Sequence, residues 1–344
     1  MSRTAVVLFN LGGPDGPKAV RPFLKNLFSD RAIIGAPNPI RFLIAELVSR
    51  LRQKSAIANY AVMGGGSPLV AETEAQAEAL TAALAEKLPG DDIKVFIAMR
   101  YWNPLSDETA AAVAAFEPED IVLLPLYPQY STTTTGSSLA AWDATYAGGG
   151  RRHVVCCYFN QEAFAEAHAA AIIQAWEAAG SPDQVRLLFS AHGLPESIAA
   201  SGDPYRWQVE QTCAAVVQRL TRRFDWRICY QSRVGPMKWI GPSTVEEIER
   251  AATEGLGVII DPIAFVSEHV ETLVELDRDY ADVAERVGAA PYIRVRTLGT
   301  APGFVGGLAD LVVAALKSPG VRPGAGSCSA DLKRCALKTF CEAA

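Results

Sequence analysis

At 344 residues, 49% of them hydrophobic and 20% charged, the chain is long enough for two ordinary domains and apolar enough to bury sizeable cores. A formal net charge of −6 gives no basis for nucleic-acid binding. The first apolar run, Ala5 to Phe9, is too short for a secretory segment, and no stretch reaches the roughly 18 apolar residues of a spanning helix. An intracellular, cytoplasmic protein is expected, its seven cysteines thiols or metal ligands rather than disulfides.

Short apolar runs alternate with helical patterns along the whole chain, which predicts an α/β fold with parallel sheets. Three runs in the first half have counterparts in the second, in the same order. AVVLFNLGGP (5–14) matches RLLFSAHGLP (186–195), KVFIAMRYWNP (94–104) matches RICYQSRVGP (227–236), and DIVLLPLYPQYS (120–131) matches GVIIDPIAFVSEH (257–269). Two similar domains are expected, 1–150 and 151–316, each a parallel sheet flanked by helices, facing a central cleft. Gly148, Gly149 and Gly150 mark the loop between them. The first two runs stand much further apart in the first half than in the second, so the first domain holds an insert near 30–70. That insert, with RFLIAELVSRLRQ and a Gly64-Gly65-Gly66 hinge or turn, is either a lip over a flat ligand or a plain surface excursion. Helices are expected at 71–88, 161–179, 204–223, 243–254 and 266–287. After Leu316, KSPGVRPGAGS (317–327) reads as a Pro/Gly linker to a separate tail, 328–344.

The most informative stretch is LLFSAHGLPESIAASGDPY (187–205). Its apolar start reads as a buried strand, and residues just past the carboxyl end of such a strand meet the ligand crevice of an open α/β sheet. His192 stands there, an imidazole suited to proton exchange near neutral pH; the plainer alternative is a histidine bonded to a neighbouring carbonyl. In FVSEHVETLVELDRDYADVAERV (265–287), Glu271, Glu275 and Asp279 recur every four residues and so share one helix face. Like charges at that spacing repel by a few tenths of a kcal/mol per pair, a cost that solvent or a cation offsets. His269 and Glu271, two apart, can share a site only near the first turn. Trp239, between two Gly-Pro pairs, is either a core residue or a plane for a macrocycle. Tyr127, Tyr130 and Ser131 lie in a polar loop that becomes an anion cradle if it opens a helix. The tail carries Cys328, Cys335 and Cys341, one thiol short of the four that an iron–sulfur cluster needs. Cys156 and Cys157, on opposite faces of a strand, offer one more; unligated thiols are the alternative. Cys213 and Cys229 read as small buried hydrophobes.

Taken together, NLGGP, GGGSP, RYWNPL, YPQYSTTTTGSS, FSAHGLP, QSRVGPMKWIGP, FVSEHVETL and the tail closely resemble the ferrochelatase family, in family order and over nearly the whole chain. The resemblance implies two Rossmann-like, chelatase-type domains and insertion of Fe2+ into a porphyrin, protoporphyrin IX before others, with release of two pyrrole protons. It implies His192 and Glu271 as catalytic and iron-contacting residues, with Glu275 and Asp279 as an acidic relay. Leu11, Tyr127, Tyr130, Ser131, Trp239 and His269 would contact the porphyrin. Enzymes using coproporphyrin tend to have Tyr where this chain has Leu11. The resemblance further implies a [2Fe–2S] cluster on Cys328, Cys335, Cys341 and one of Cys156 or Cys157, although the spacing departs from the animal pattern. It leaves open peripheral association with the inner membrane and a homodimer. The alternatives are a chelatase for another tetrapyrrole such as coproporphyrin III, and a non-catalytic porphyrin or haem carrier, which would need no acidic helix.

Overall fold

The computed structural model describes residues 2–233, 235, 237–317, 319–324 and 326–341, the side chains of 339–341 excepted. In chain order the elements are β1 (Arg3–Asn10), α1 (Val20–Ser29), α2 (Asn38–Val62), α3 (Leu69–Lys87), β2 (Asp92–Met99), α4 (Ser106–Phe116), β3 (Asp120–Pro125), α5 (Thr135–Thr145) and β4 (Arg151–Cys157). Next come α6 (Glu162–Ala178), β5 (Val185–His192), α7 (Glu196–Ala200), α8 (Tyr205–Val217), β6 (Asp225–Gln231), α9 (Thr244–Thr253), β7 (Gly257–Asp261) and α10 (Val270–Leu273). A π-helical turn (Glu275–Asp279), α11 (Tyr280–Val287), β8 (Tyr292–Arg294), α12 (Pro302–Leu316), β9 (Gly320–Pro323) and α13 (Ala336–Cys341) complete the described chain.

Among the described residues the strands form two sheets, ordered β2-β1-β3-β4-β9 and β6-β5-β7-β8. The pairings β1 with β2 and β3, β3 with β4, β5 with β6 and β7, and β7 with β8 are all parallel. The repeat of apolar runs thus emerges as one strand order used twice, with β5, β6 and β7 taking the places of β1, β2 and β3. Strands covered on both faces have continuous apolar sequences rather than alternating ones, as in β1, where seven of eight residues are buried, and β7, where all five are.

In the second sheet, successive side chains feed two separate cores. Leu187, Phe189 and Ile259 join Val209 and Cys213 of α8 on one face; Leu188, Val258 and Ile260 join Ile248 of α9 and Ala284 of α11 on the other. Each Leu, Ile, Val or Phe side chain among them contributes about 1.5–3 kcal/mol by leaving water.

The chain divides into Met1–Cys156 with Leu308–Arg322, and Cys157–Gly307 with Pro323–Ala344. This differs from a simple boundary at 150 followed by a free linker. The expected linker contains β9, which lies beside β4 in the first sheet, while the cysteine-bearing tail groups with the second unit. Its Pro/Gly composition conceals a strand because an edge strand tolerates both residues. The 30–70 insert is chiefly α2, and the GGGSP stretch after it is a clamped turn. The Ser67 amide donates to the Pro14 carbonyl (2.7 Å), and a Cβ on Gly13 would lie 2.4 Å from Ser67 Oγ, so only glycine fits there. The helix expected at 204–223 stops at Val217. The one expected at 266–287 is broken into α10, the π-helical turn and α11.

Candidate active site at the carboxyl ends of β5 and β7

Within the second unit the order β6-β5-β7 puts a topological switch point between β5 and β7, where open α/β sheets bind ligands. His192 is the last residue of β5, and its Nδ1 lies 2.9 Å from Glu271 Oε2. The loop after β7 brings the partners. His269 caps the start of α10, its backbone amide bonding Thr272 Oγ1 (2.9 Å), and its Nε2 stands 3.5 Å from the same Glu271 oxygen. Two histidines therefore share one carboxylate at the first turn of a helix, where spacing allowed it. Phe265 closes the apolar side, its ring centroid 4.8 Å from that of His269 and 6.5 Å from that of His192. The next residue is Gly193 because its neighbours leave no room: a Cβ there would lie 2.8 Å from the Gln231 carbonyl and 3.2 Å from the Trp239 ring.

Charge sets the protonation of this group. Burial pulls the His192 imidazole down, but the Glu271 carboxylate, with Glu275 behind it, outweighs this and raises it above its ordinary value. The ring is 42% accessible, which weakens desolvation and reinforces that direction. Burial pushes Glu271 up, yet His192 and His269 hold it well below the usual carboxylate range. Glu275 goes the other way, raised by burial and by the Glu271 charge. Two carboxylates four residues apart are thus driven in opposite directions, the pattern of groups that divide acid and base roles.

The structure does not bring Asp279 into this group. Asp279 is exposed, because the chain leaves the α-helical path after Leu273: the Asp279 amide donates to the Val274 carbonyl five residues back (3.0 Å). The wider turn rotates Asp279 off the face that strict four-residue spacing implies. Trp239 is half-buried against Gly193. Leu11, Tyr127, Tyr130 and Ser131 belong to the first unit, at the carboxyl ends of β1 and β3. Tyr130 and Ser131 are buried, and burial raises the Tyr127 phenol far above its ordinary value.

Several residues have positioning roles that the sequence did not reveal. In the GDPY motif that ends the 187–205 stretch, Asp203 Oδ1 accepts the Tyr205 amide (3.0 Å), and the Tyr205 hydroxyl donates to the His192 carbonyl (3.1 Å). Arg294 fastens the acidic segment, donating to both Glu268 oxygens (2.9 and 2.6 Å) and to Asp277 (2.7 Å). Gln231 and Ser232, at the end of β6, both reach Glu275. Both open the QSRVGPMKWIGP motif, but nothing in that string points to a carboxylate partner 43 and 44 residues away.

In the tail, Gln208 Nε2 of α8 lies 3.5 Å from Cys157 Sγ and 3.1 Å from Cys328 Sγ. A hydrogen bond with Cys328 lowers the Cys335 thiol to about 6. Cys157, Cys328 and Cys335 are thus gathered, while the Cys341 side chain lies outside the described residues. Among those described, no three His, Cys, Asp or Glu side chains are already spaced to hold a metal ion. The tail also touches the GDPY motif, where the Arg334 amide donates to the Gly202 carbonyl (3.0 Å).

An α/β scaffold with paired histidines on a half-buried carboxylate at a strand switch point marks the class of protein: an enzyme whose site can exchange protons with a bound ligand. The ferrochelatase family model matches residues 3–316. A ferrochelatase of Caulobacter vibrioides is 63% identical over 336 residues, 97% of each chain, and one of Phenylobacterium zucineum 57% identical over 337 residues, 98% of each. Among solved structures, SirB from Bacillus subtilis with Fe3+ is similar at a TM-score of 0.49 and 12% identity, over 92% of this chain and 95% of that one. The chain belongs to the ferrochelatase family. It is a lyase, a porphyrin metal chelatase that inserts iron into a porphyrin in haem biosynthesis.

Proposed function

We propose that the porphyrin is protoporphyrin IX and that His192 removes the pyrrole protons, the His192 Nδ1 to Glu271 bond (2.9 Å) being the observation that carries this reading. With Nδ1–H donated to Glu271, the neutral ring keeps its lone pair on Nε2, the arrangement of an oriented general base. Fe2+ enters as two N–H protons leave, so the porphyrin core becomes a dianion and the iron's charge is balanced. Glu271 holds the tautomer and stabilises the imidazolium once formed. Glu275 relays iron or protons, since carboxylate oxygens suit a hard cation that must be released again. Phe265, Trp239 and His269 supply contacts for a flat ligand. In the first unit, Leu11, Tyr127, Tyr130 and Ser131 are proposed as porphyrin contacts on the family resemblance. The test is single-turnover insertion of Fe2+ into protoporphyrin IX and coproporphyrin III. Faster reaction of protoporphyrin IX is expected, and faster reaction of coproporphyrin III would overturn the assignment.

The gathered thiols fit a [2Fe–2S] cluster in donor type, and a thiol lowered to about 6 is largely thiolate at neutral pH, as a ligand must be. Cys157, Cys328, Cys335 and Cys341 would hold it, with Cys157 rather than Cys156 chosen because Cys157 and Cys328 share the Gln208 amide. When bound, the cluster would cross-link the tail to β4, a structural role, since metal insertion transfers no electrons. Serine at any of these four positions is expected to abolish visible absorption and the EPR signal of the reduced protein, and serine at Cys156 to leave both. Anaerobically purified protein that is colourless and free of bound iron and sulfide would refute the cluster.

We also propose peripheral membrane binding through α2. Ile40, Leu43, Leu47 and Leu51 follow helical spacing and are 53, 72, 59 and 72% exposed, with Arg50, Arg52 and Lys54 exposed beside them. An apolar stripe flanked by basic residues suits an anionic lipid surface. The chain is expected to co-sediment with phosphatidylglycerol vesicles, and Leu43→Glu with Leu47→Glu to remain in the supernatant. Equal sedimentation of both would refute α2 as the anchor.

A further inference from the structure

The turn that ends β6 converges on one carboxylate. Gln231, fully buried, donates through Nε2 to Glu275 Oε2 (2.8 Å) and to the Glu271 carbonyl (2.8 Å), while its Oε1 accepts the Ser190 hydroxyl (2.8 Å). Both amide hydrogens are used. Turning the amide over would set its oxygen against a carboxylate and a carbonyl, so its orientation is determined by its neighbours. Ser190 bonds in turn with Thr244 at 3.0 Å, which ties the amide to α9. The next residue, Ser232, donates its hydroxyl to the same Glu275 oxygen. It does so from a left-handed backbone, φ 61°, which non-glycine residues adopt at a cost and which clusters at functional sites.

We infer that Gln231 and Ser232 are positioning residues, which seat the Glu275 carboxylate and the Glu271 main chain for iron delivery and act through Glu275 rather than on the substrate. The inference rests on the reading that places Glu275 in the reaction. A carboxylate that must receive iron and release it cannot depend on the cation for its position. Donors from a rigid strand end hold it between turnovers, and because they are neutral they leave its charge for the metal. Ser232 is there for its hydroxyl, since a turn at this φ by itself would favour glycine.

The test uses the full chain with Ser232→Gly, Ser232→Ala and Gln231→Leu, each alone and combined with Glu275→Ala. Steady-state kinetics are measured in Fe2+ and in protoporphyrin IX, with thermal melting as a check on folding. Ser232→Ala removes only the hydroxyl, and Ser232→Gly removes the hydroxymethyl group while relieving the backbone, so the pair serves even where Gln231→Leu unfolds. Each single variant is expected to lower kcat/KM for Fe2+ about tenfold, with the porphyrin KM within about twofold of wild type. On top of Glu275→Ala, each is expected to add less than about twofold, because the group through which it acts is already gone. Ser232→Gly with wild-type kcat/KM for Fe2+, or an undiminished loss in the Glu275→Ala background, would overturn the inference while Glu275→Ala remained impaired. Wild-type kinetics for Glu275→Ala would instead overturn the placing of Glu275 in the reaction, and the inference with it.

Discussion

Replacing His192 with alanine is expected to slow iron insertion by about 10²–10⁴-fold, the contribution usual for a positioned general base. Porphyrin binding should survive, because the flat ligand takes most of its affinity from apolar contact rather than from one imidazole. The substitution leaves β5 intact: the residues before it are fully buried, and Tyr205 bonds the His192 carbonyl, which alanine retains. Single-turnover absorbance at saturating iron gives the rate, and porphyrin fluorescence quenching gives the affinity. A folded variant with near-normal turnover would remove His192 from the mechanism. The pH profile supplies a second check, since His192 accepts a proton only when neutral. Its raised value means that activity should fall as pH drops through a point above the ordinary 6.5.

Glu271→Gln is expected to lower turnover by about 10²–10³-fold while leaving the fold in place, since the amide keeps the size and one acceptor oxygen. Without the carboxylate, the burial that Glu271 outweighs in the native chain acts on His192 with less opposition. The acid limb of the pH profile should therefore move to lower pH, a direction that loss of packing alone would not produce. The two directions of shift also set how stability depends on pH. Glu271, depressed below 4.5, contributes stability above that pH and loses it as pH falls through its depressed value. His192, raised above 6.5, contributes below that pH and loses it as pH rises through its raised value. The difference in melting temperature between wild type and Glu271→Gln should thus be largest between 4.5 and 6.5 and shrink on either side. A constant difference across that range would mean the pair is not ionised as described. Unchanged turnover would make Glu271 a bystander.

Much of the chain was legible in one dimension. Strands buried on both faces need unbroken apolar runs, and the three runs repeated in order carried the α/β class and the doubling of the unit. His192 was legible because a strand's carboxyl end in such a sheet meets the crevice whatever surrounds it. Of the cysteines, Cys328 and Cys335 lie close in sequence, but the approach of Cys157 and Cys328 to one amide depended on which face of β4 meets Gln208. Tertiary structure alone decided the rest. Four-residue spacing puts Glu271, Glu275 and Asp279 on one face only if the helix is regular, and the π-helical turn breaks that condition between the second and the third. Pro/Gly composition suggested a linker where β9 joins the first sheet, since the pairing that makes a strand of it lies some 170 residues back in β4. The positioning roles of Gln231, Ser232, Tyr205 and Arg294 went unread for the same physical reason. Hydrogen bonds to His192, Glu268 and Glu275 cross 13 to 44 residues of sequence, and local pattern carries no information about a partner that only folding brings within bonding distance.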